Sequence, residues 1–275
     1  MGNRTDLAIE FLNDSEKEVK NEYKIGKTEV IFHSLNSENS FNKREGNYAT
    51  VKLGKIDFLT DFEEAYKAII LCLEKLACNS KEKVLVVGLG NREIISDSIG
   101  PAVAEKILAT RHIKGDFAEK IGLKNLKSVA VLSPNVLGKT GIEASDTVKA
   151  IVDKIEPDLV IIIDALCAKN TENLFSVIQV CDSGISPGSG VKNSRKELSF
   201  ETLGVPTIAI GIPTVVEAKT VAENLSKTPV SACEDLLLAP KETDLLTDKM
   251  SEILSHSLNI FLQPEIDSEI ILALV

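Results

Sequence analysis

The strongest constraint on the fold is a series of short, continuous apolar runs separated by helix-like segments. Two of these runs, at 84–87 and 159–163, contain only Val, Leu and Ile. Uninterrupted β-branched runs of this length are typical of strands buried on both faces, as in parallel sheets. Between the runs, apolar residues recur at helical spacing, for example over 142–155. The alternation predicts an α/β fold with three layers, in which a mostly parallel sheet carries helices on both faces.

The remaining elements are predicted from the same two periodicities. We expect further strands at 129–132, 175–180 and 206–210, and helices at 61–76, 99–110, 142–155 and 215–225. The run at 175–180 alternates and is predicted nearer an edge of the sheet. Either Ser96 or Asp97 is suited to cap the helix at 99–110. We predict one domain over 1–275, with an N-terminal elaboration at 7–80 and an α/β core at 81–275.

Charge and cysteine content narrow the class of protein. The chain has 41 Asp and Glu against 31 Lys and Arg, a formal net charge of −10. An acidic chain repels phosphate backbones, so we predict no direct nucleic-acid partner. The five cysteines show no CxxC pair and lie in or beside apolar runs, which is typical of buried thiols in a reducing compartment. No signal-peptide pattern or membrane-length apolar run occurs, so we expect a cytoplasmic protein with no membrane partner.

Two acids lie where the predicted sheet would hold a site, because ligands bind beside the carboxyl ends of parallel strands. Asp97 opens a helix after the first core strand, and Asp164 directly follows the run at 159–163. If their strands are neighbours, the carboxylates share one edge and drive their pKa values apart. One can then activate a water while the other protonates a leaving group. Each acid also has a structural explanation: Asp97 as a helix cap, Asp164 as a carboxylate held by amides.

A glycine- and serine-rich segment at 182–196 lies on the same predicted edge, as does a strand-end loop at 211–214. The glycine- and serine-rich segment contains the pattern G-x-S-x-G at 184–188, which is typical of a hydrolase nucleophile elbow. Pro187 and two further glycines favour a long open loop over the strand, turn and helix that an elbow needs. Such a loop can hold a substrate backbone or an oxyanion through its amides. A plain surface connection has the same composition.

Cofactor and metal patterns are incomplete. Gly88 and Gly90 follow a strand as in a dinucleotide turn, but Glu93 stands in place of the third glycine. No Walker sequence occurs, and the three histidines share no metal-site spacing. These histidines are His33, His112 and His256. We therefore predict no cofactor and no metal ligand.

At these same positions the chain resembles the germination protease family, endopeptidases of spore-forming bacteria. The matching segments are 86–91 (VVGLGN) with Asp97 and 100–101, then 110–112, 140–146, 163–166, 182–185 with 187–191, 201–206, 210–216 and 239–244. The resemblance is dense over 84–217, and the glycine-rich segment is specific to the family. Near the N-terminus, 4–10 (RTDLAIE) is similar to the family's processing segment.

The resemblance implies a fold similar to that of hydrogenase-maturation proteases and a single peptidase domain that assembles as a homotetramer. It implies an atypical aspartic endopeptidase of the spore core. This enzyme would start the degradation of small acid-soluble, DNA-protecting spore proteins during germination. The family's two essential aspartates fall on Asp97 and Asp164. Residues 1–6 would be a short prosegment of a zymogen that processes itself between Asp6 and Leu7.

The glycine-rich segment is expected to bind substrate. Its backbone amides would pair with the peptide, and its basic side chains would meet the acid that precedes the cut. The residues concerned are Gly184, Gly188, Ser189, Gly190, Lys192, Arg195 and Lys196. Two alternatives stay open. One is a metal-dependent peptidase of the hydrogenase-maturation type, with acids and a histidine that converge on one ion. The other is a catalytically inactive homologue that only binds proteins.

Overall fold

The structure is a computed structural model that describes residues 5–10, 19–36, 44–54, 62–77, 82–113, 125–188, 195–227 and 236–274. The strands are β1 (Val19–Ile25), β2 (Thr28–Leu35), β3 (Gly46–Lys52), β4 (Lys83–Gly88), β5 (Ser128–Leu132), β6 (Leu159–Ala168), β7 (Val177–Cys181), β8 (Thr207–Glu217) and β9 (Leu237–Leu238). The helices are α1 (Glu63–Leu76), α2 (Ile99–Ala104), α3 (Leu137–Thr140), α4 (Ala144–Ile155), α5 (Phe200–Leu203), α6 (Ala218–Ser226), α7 (Thr243–Leu262) and α8 (Ser268–Leu274). Three 3-10 turns cover Ala8–Glu10, Ile95–Asp97 and Thr171–Asn173.

The described strands form one sheet whose two halves differ in direction. The order is β1-β2-β3-β7-β8-β6-β4-β5, and β9 pairs with β8. The neighbours β5, β4, β6 and β8 are parallel, as predicted from their continuous apolar runs. Strands β7, β3, β2 and β1 extend the sheet in antiparallel fashion. The predicted parallel core is therefore present and is extended by strands from the N-terminal region.

Helices cover both faces of the parallel half, which confirms the predicted three-layer α/β architecture. Because side chains alternate along a strand, Val84 and Val86 of β4 face one side while Leu85 and Val87 face the other. The first side packs against α1, α2 and α7 in the larger apolar cluster. The second side packs against α4 and α5 in a smaller cluster. No helix within the described ranges is both long and apolar enough to cross a bilayer.

Strand β7 lies in the interior of the sheet, so its predicted place near an edge is wrong. It pairs with β8 on one side and with β3 on the other. The prediction failed because it found no strands in the polar N-terminal region, where β1, β2 and β3 lie. Polar and apolar residues alternate over 175–180 because the two faces of β7 have different surroundings, and not because the strand lies at an edge of the sheet.

Strand β8 continues through 211–214, which was predicted as a loop, and α6 begins only at Ala218. Gly211 and Pro213 were interpreted as a strand end. However, Gly211 is the last residue of β8 that pairs with β7, through Gln179. The missing N–H of Pro213 therefore costs no ladder hydrogen bond on that side. On the other side β8 keeps its pairing with β6.

Helix α2 ends at Ala104, earlier than the predicted end near residue 110. The amide of Leu108 donates to Oδ1 of Asn259 at 2.9 Å, and Nδ2 of Asn259 donates to the carbonyl of Lys106 at 2.9 Å. Asn259, in α7, thus satisfies backbone groups that a longer helix would have paired internally. This tertiary contact overrides the local helical periodicity.

Candidate active site

The sheet places Asp164 beside the end of β4. The last pairing of β4 with β6 joins Gly88 to Ile163, and Asp164 is the next residue of β6. It was predicted to follow its strand but lies inside it, because β8 continues alongside through the pair Asp164 and Gly211. The side chain is buried, with 5% of its surface exposed. Its Oδ1 accepts a hydrogen bond from the amide of Ala165 at 3.0 Å.

Asp97 ends the 3-10 turn that connects β4 to α2. Its Oδ2 accepts a hydrogen bond from the amide of Asn91 at 2.9 Å, and the same amide lies 3.0 Å from its carbonyl oxygen. Ser98 is the residue at the cap position of α2, and it makes no side-chain cap bond. The cap predicted at Ser96 or Asp97 is therefore wrong, so Asp97 loses that structural explanation.

Two glycines bring the start of α2 against the end of β4. A Cβ on Gly100 would lie 2.2 Å from the carbonyl oxygen of Leu89 and 2.7 Å from that of Ile163. A Cβ on Gly88 would lie 2.1 Å from the carbonyl oxygen of Gly100. Only glycine permits such a close approach of two backbones. The contact fixes the turn that carries Asp97 over the strand that carries Asp164.

Both aspartates line one cavity of about 250 Å³, which we call the aspartate cavity. Arg195 also lines it, and apolar side chains form most of the remaining wall. These side chains include Leu89, Ile94, Val136, Val215 and Leu237. A cavity that combines paired acids, one cation and apolar walls is suited to a peptide with a large apolar side chain.

Burial raises the pKa of both carboxyl groups. For Asp164 the pKa lies well above the ordinary value, mainly because of burial and then because of the charges of Asp97 and Asp6. For Asp97 burial also raises the pKa, and this rise is opposed by the hydrogen bond from Asn91 and by the charge of Arg195. The more buried Asp164 therefore holds a proton more firmly than Asp97. A protonated acid beside a more easily ionised one is the arrangement that general acid–base catalysis requires.

A second cavity of about 140 Å³, the glutamine cavity, lies on the other side of Asp164. Asp6 and Asp164 line both cavities, so the two are adjacent. Gln179 and Gly211 line the glutamine cavity, as does Tyr48. The Tyr48 hydroxyl donates to the carbonyl of Arg44 at 2.9 Å. Together the cavities form a cleft that runs past Asp164.

The N-terminal segment 5–10 borders this cleft through Asp6, which lines both cavities. The amide of Asp6 donates to the carbonyl of Cys167 at 2.8 Å, and its carboxylate accepts from the Cys167 amide at 2.9 Å. Leu7 is fully buried, in a cluster with Leu166, Ala168 and Val177. The carboxylate of Glu10 accepts hydrogen bonds from the amides of residues 169 and 170. Asp6, which precedes the predicted processing bond, thus lines the aspartate cavity together with both candidate catalytic acids.

The glycine-rich segment borders the cleft with only some of its predicted binding residues. Gly184 lines the glutamine cavity, Gly188 lines both cavities and Arg195 lines the aspartate cavity. Lys196 instead pairs with Asp146, 2.9 Å from nitrogen to oxygen, on the exposed surface. Ser189, Gly190 and Lys192 lie outside the described residues.

Two histidines, His33 and His256, do not line either cavity of this cleft. His33 is buried and stacks on Tyr48, and burial lowers its pKa to about 4. His256 contacts Tyr66 between α1 and α7. Across the described part of the chain, no group of three or more His, Cys, Asp or Glu side chains is placed to hold a metal ion. The convergence of acids and a histidine that the metal-dependent alternative requires is not found there.

One residue of the cleft was missed in the sequence, although a signal was available. Gln179 is a single polar residue in the otherwise apolar strand β7, and its exposed fraction is 8%. A glutamine buried at the centre of a sheet needs hydrogen-bond partners. It finds them in segment 5–10, a contact that no sequence pattern shows.

Comparison with known proteins identifies the family. The family model described as germination protease matches residues 4–227. The chain is 37% identical to the germination protease of Clostridium tetani, over 98% of both chains. It is 36% identical to that of Caldanaerobacter subterraneus, over 96% of this chain and 95% of the relative. This chain belongs to the germination protease family. The resemblance recognised in the sequence is therefore confirmed, and with it the predicted peptidase class.

Further germination proteases match over a smaller part of their length. The one from Bacillus cereus is 39% identical over 80% of this chain and 65% of the relative. Among solved structures, a [NiFe] hydrogenase maturation protease, HycI from Thermococcus kodakarensis, aligns with a TM-score of 0.40 and 16% identity. The alignment covers 69% of this chain and 97% of that one.

Proposed function

We propose that this germination protease family member is an endopeptidase that cuts peptide bonds with the carboxyl pair Asp97 and Asp164. The observation that carries the proposal is that both acids line one cavity and both have raised pKa values. We assign the proton to Asp164, because it is the more buried of the two. Asp97 would then remove a proton from the attacking water while Asp164 protonates the leaving amine.

The proposed substrates are the small acid-soluble proteins that protect spore DNA, cut in the spore core by a homotetramer. This part of the proposal rests on the family. The structure adds support, because segment 5–10, whose Asp6 lines the cleft, is an irregular chain ending in a single 3-10 turn. A helical substrate would hide its scissile carbonyl in hydrogen bonds, whereas an unstructured protein can supply an extended segment. No cofactor is part of the proposed reaction.

Self-processing is expected between Asp6 and Leu7. Asp6 lines both cavities of the cleft, and its carboxylate is close enough to raise the pKa of Asp164. Incubation at mildly acid pH, where the pair holds its shared proton, should release residues 1–6. Mass spectrometry of the acid-incubated chain measures the release. An intact N-terminus in an enzyme that cuts other peptides would reject processing at this bond.

Arg195 is expected to bind the acid that precedes the cut, because among the candidate basic residues described it is the one that lines the aspartate cavity. Replacing Arg195→Gln should lower kcat/KM for a peptide with Glu at that position by about tenfold, the worth of one charge-assisted hydrogen bond. The matched peptide with Gln should lose much less. Lys196→Gln is the control, since its partner is Asp146 outside both cavities. Equal losses of kcat/KM for both peptides in the Arg195 variant would show that the charge of Arg195 does not bind the substrate acid.

A further inference from the structure

Gln179 binds the backbone of segment 5–10 on both sides of one residue. Its Oε1 accepts a hydrogen bond from the amide of Ala8 at 2.6 Å. Its Nε2 donates to the carbonyl of Asp6 at 3.4 Å. The two bonds span Leu7 and involve only main-chain atoms of the segment. One side-chain amide thus binds the backbone of this irregular segment through atoms that every residue type has.

The sheet places Gln179 in line with Asp164. Gly211 of β8 pairs with Asp164 of β6 on one side and with Gln179 of β7 on the other. Residues that pair directly across strands point to the same face. Gly211 has no side chain between them, and a Cβ there would lie 2.2 Å from Cδ1 of Leu166. The Leu166 side chain therefore packs over Gly211, and the carboxyl group and the amide group lie on either side of this glycine in the wall of the glutamine cavity, which Asp6 also lines.

The atoms of segment 5–10 stand in for those of a substrate. If the chain cuts itself between Asp6 and Leu7, the carbonyl that Gln179 contacts is the one that water attacks. The amide that it binds belongs to the second residue after the cut. Ala8 is 1% exposed among Tyr48, Cys181 and Ala209, so the space at this position suits a small side chain.

We propose that Gln179 is a catalytic residue that holds the substrate backbone across the first residue after the cut and donates to the scissile carbonyl. The inference rests on the proposed endopeptidase function. In the tetrahedral intermediate the carbonyl oxygen becomes negative, and a donor already placed beside it stabilises that charge. The contact of 3.4 Å belongs to the ground state, and such contacts shorten as charge develops. The substrate class is an extended peptide with an acid, a large apolar residue and a small residue in succession.

The test compares two peptides that repeat residues 5–10 with short flanks. In the second peptide an ester oxygen replaces the amide N–H of the alanine, which removes the donor that binds Oε1. The full chain should cut the amide peptide about tenfold better in kcat/KM than the ester, as expected for one buried hydrogen bond. The free energy needed to displace the chain's own segment 5–10 does not affect this ratio of kcat/KM values, since both peptides must displace it.

Two variants distinguish the effects of the two hydrogen bonds that Gln179 makes. Gln179→Glu keeps an acceptor but loses the donor, so it should retain the amide preference while kcat falls by about 10²-fold. Gln179→Leu loses both groups, so the two peptides should become equivalent. Thr50→Val is the control, because Thr50 pairs with Gln179 in the next strand and is buried. Its hydroxyl has no hydrogen-bond partner within the described residues, and the variant should keep the wild-type ratio.

Amide hydrogen exchange gives a readout that needs no cleavage. The Ala8 amide should exchange slowly in the wild-type chain and faster in Gln179→Leu. If its exchange changes but the wild-type peptide ratio is near one, Gln179 only anchors the chain's own segment and the proposal is overturned. Unchanged exchange in Gln179→Leu would overturn the contact itself. A folded wild-type chain that cuts neither peptide would instead reject the endopeptidase function, while the exchange result would still report on Gln179.

Discussion

Asp164→Asn is expected to abolish peptide cleavage while raising the melting temperature at neutral pH. Removal of the proton donor should lower kcat by about 10³-fold or more. The stability gain follows from the raised pKa of Asp164, because the folded chain holds its proton more firmly than the unfolded chain does. As pH rises from the ordinary value of 3.8 through the raised pKa, the unfolded state ionises first and the free energy of unfolding falls. Asparagine carries no such penalty.

The measurement is a series of thermal melts from acid to neutral pH, with peptide cleavage assayed in parallel. The excess melting temperature of Asp164→Asn over wild type should grow as pH rises and vanish at the acid end. Asp97→Asn should also lose cleavage while staying folded. Asp153→Asn is the control, since Asp153 lies in an exposed pair with Lys149 and should change neither property. Chelators should leave wild-type cleavage unchanged. A folded Asp97 or Asp164 variant that keeps most of its activity would refute the paired mechanism.

Gly100→Val is expected to destabilise the chain by about 3 kcal/mol or more, since overpacking against backbone cannot be relieved by rotating a side chain. A Cβ at this position would lie 2.2 Å from the Leu89 carbonyl oxygen and 2.6 Å from the Leu89 nitrogen. Relief requires that α2 move away from the end of β4, which would also displace Asp97. Urea denaturation measures the loss as a lower midpoint of unfolding.

Gly138→Ala is the matched control for this substitution. Gly138 is also helical, in α3, and among the described residues nothing beyond its own helix and chain neighbours lies within 4 Å of the position that its Cβ would occupy. Alanine has a higher helix propensity than glycine, so this variant should be as stable as wild type or up to about 1 kcal/mol more stable. If Gly100→Val unfolds at the same urea concentration as Gly138→Ala, the close contact between α2 and β4 is not as described.

The central parallel strands β4, β6 and β8 were predictable because they are buried on both faces and their sequences contain continuous apolar runs. In the antiparallel half β7 was predicted as a strand but β1 and β2 were not, because β1 and β2 combine polar and apolar residues without a long continuous run. Strand ends were the weakest part of the prediction. Asp164 and Pro213 both resemble the end of a strand in sequence, yet β6 and β8 continue together as a pair beyond β4. Only the position of the neighbouring strand explains where each one stops.

The site residues that could be predicted are those whose polarity differs from that of their neighbours in the sequence. Asp164 is an acid in an apolar run, and that conflict by itself indicates a functional residue. From the sequence, Lys196 and Arg195 look equivalent, because charge and spacing do not show which way a side chain points. In the structure Lys196 pairs with Asp146, whereas Arg195 lines the aspartate cavity. Gln179 has the same kind of conflict as Asp164, but its partner is about 170 residues earlier in the chain. Sequence patterns report local periodicity and do not report such pairings.

The contacts of segment 5–10 also set an order of events in folding. Asp6 pairs with Cys167, 161 positions later, and Ala8 pairs with Gln179, 171 positions later. Loops of this length close late, because their entropy must be overcome before the contact is gained. During synthesis segment 5–10 therefore waits for these partners until β6 and β7 have been made. Since β6 carries both Asp164 and Cys167, the strand that supplies this acid also supplies the first contact of the segment, and β7 adds the second contact about ten residues later.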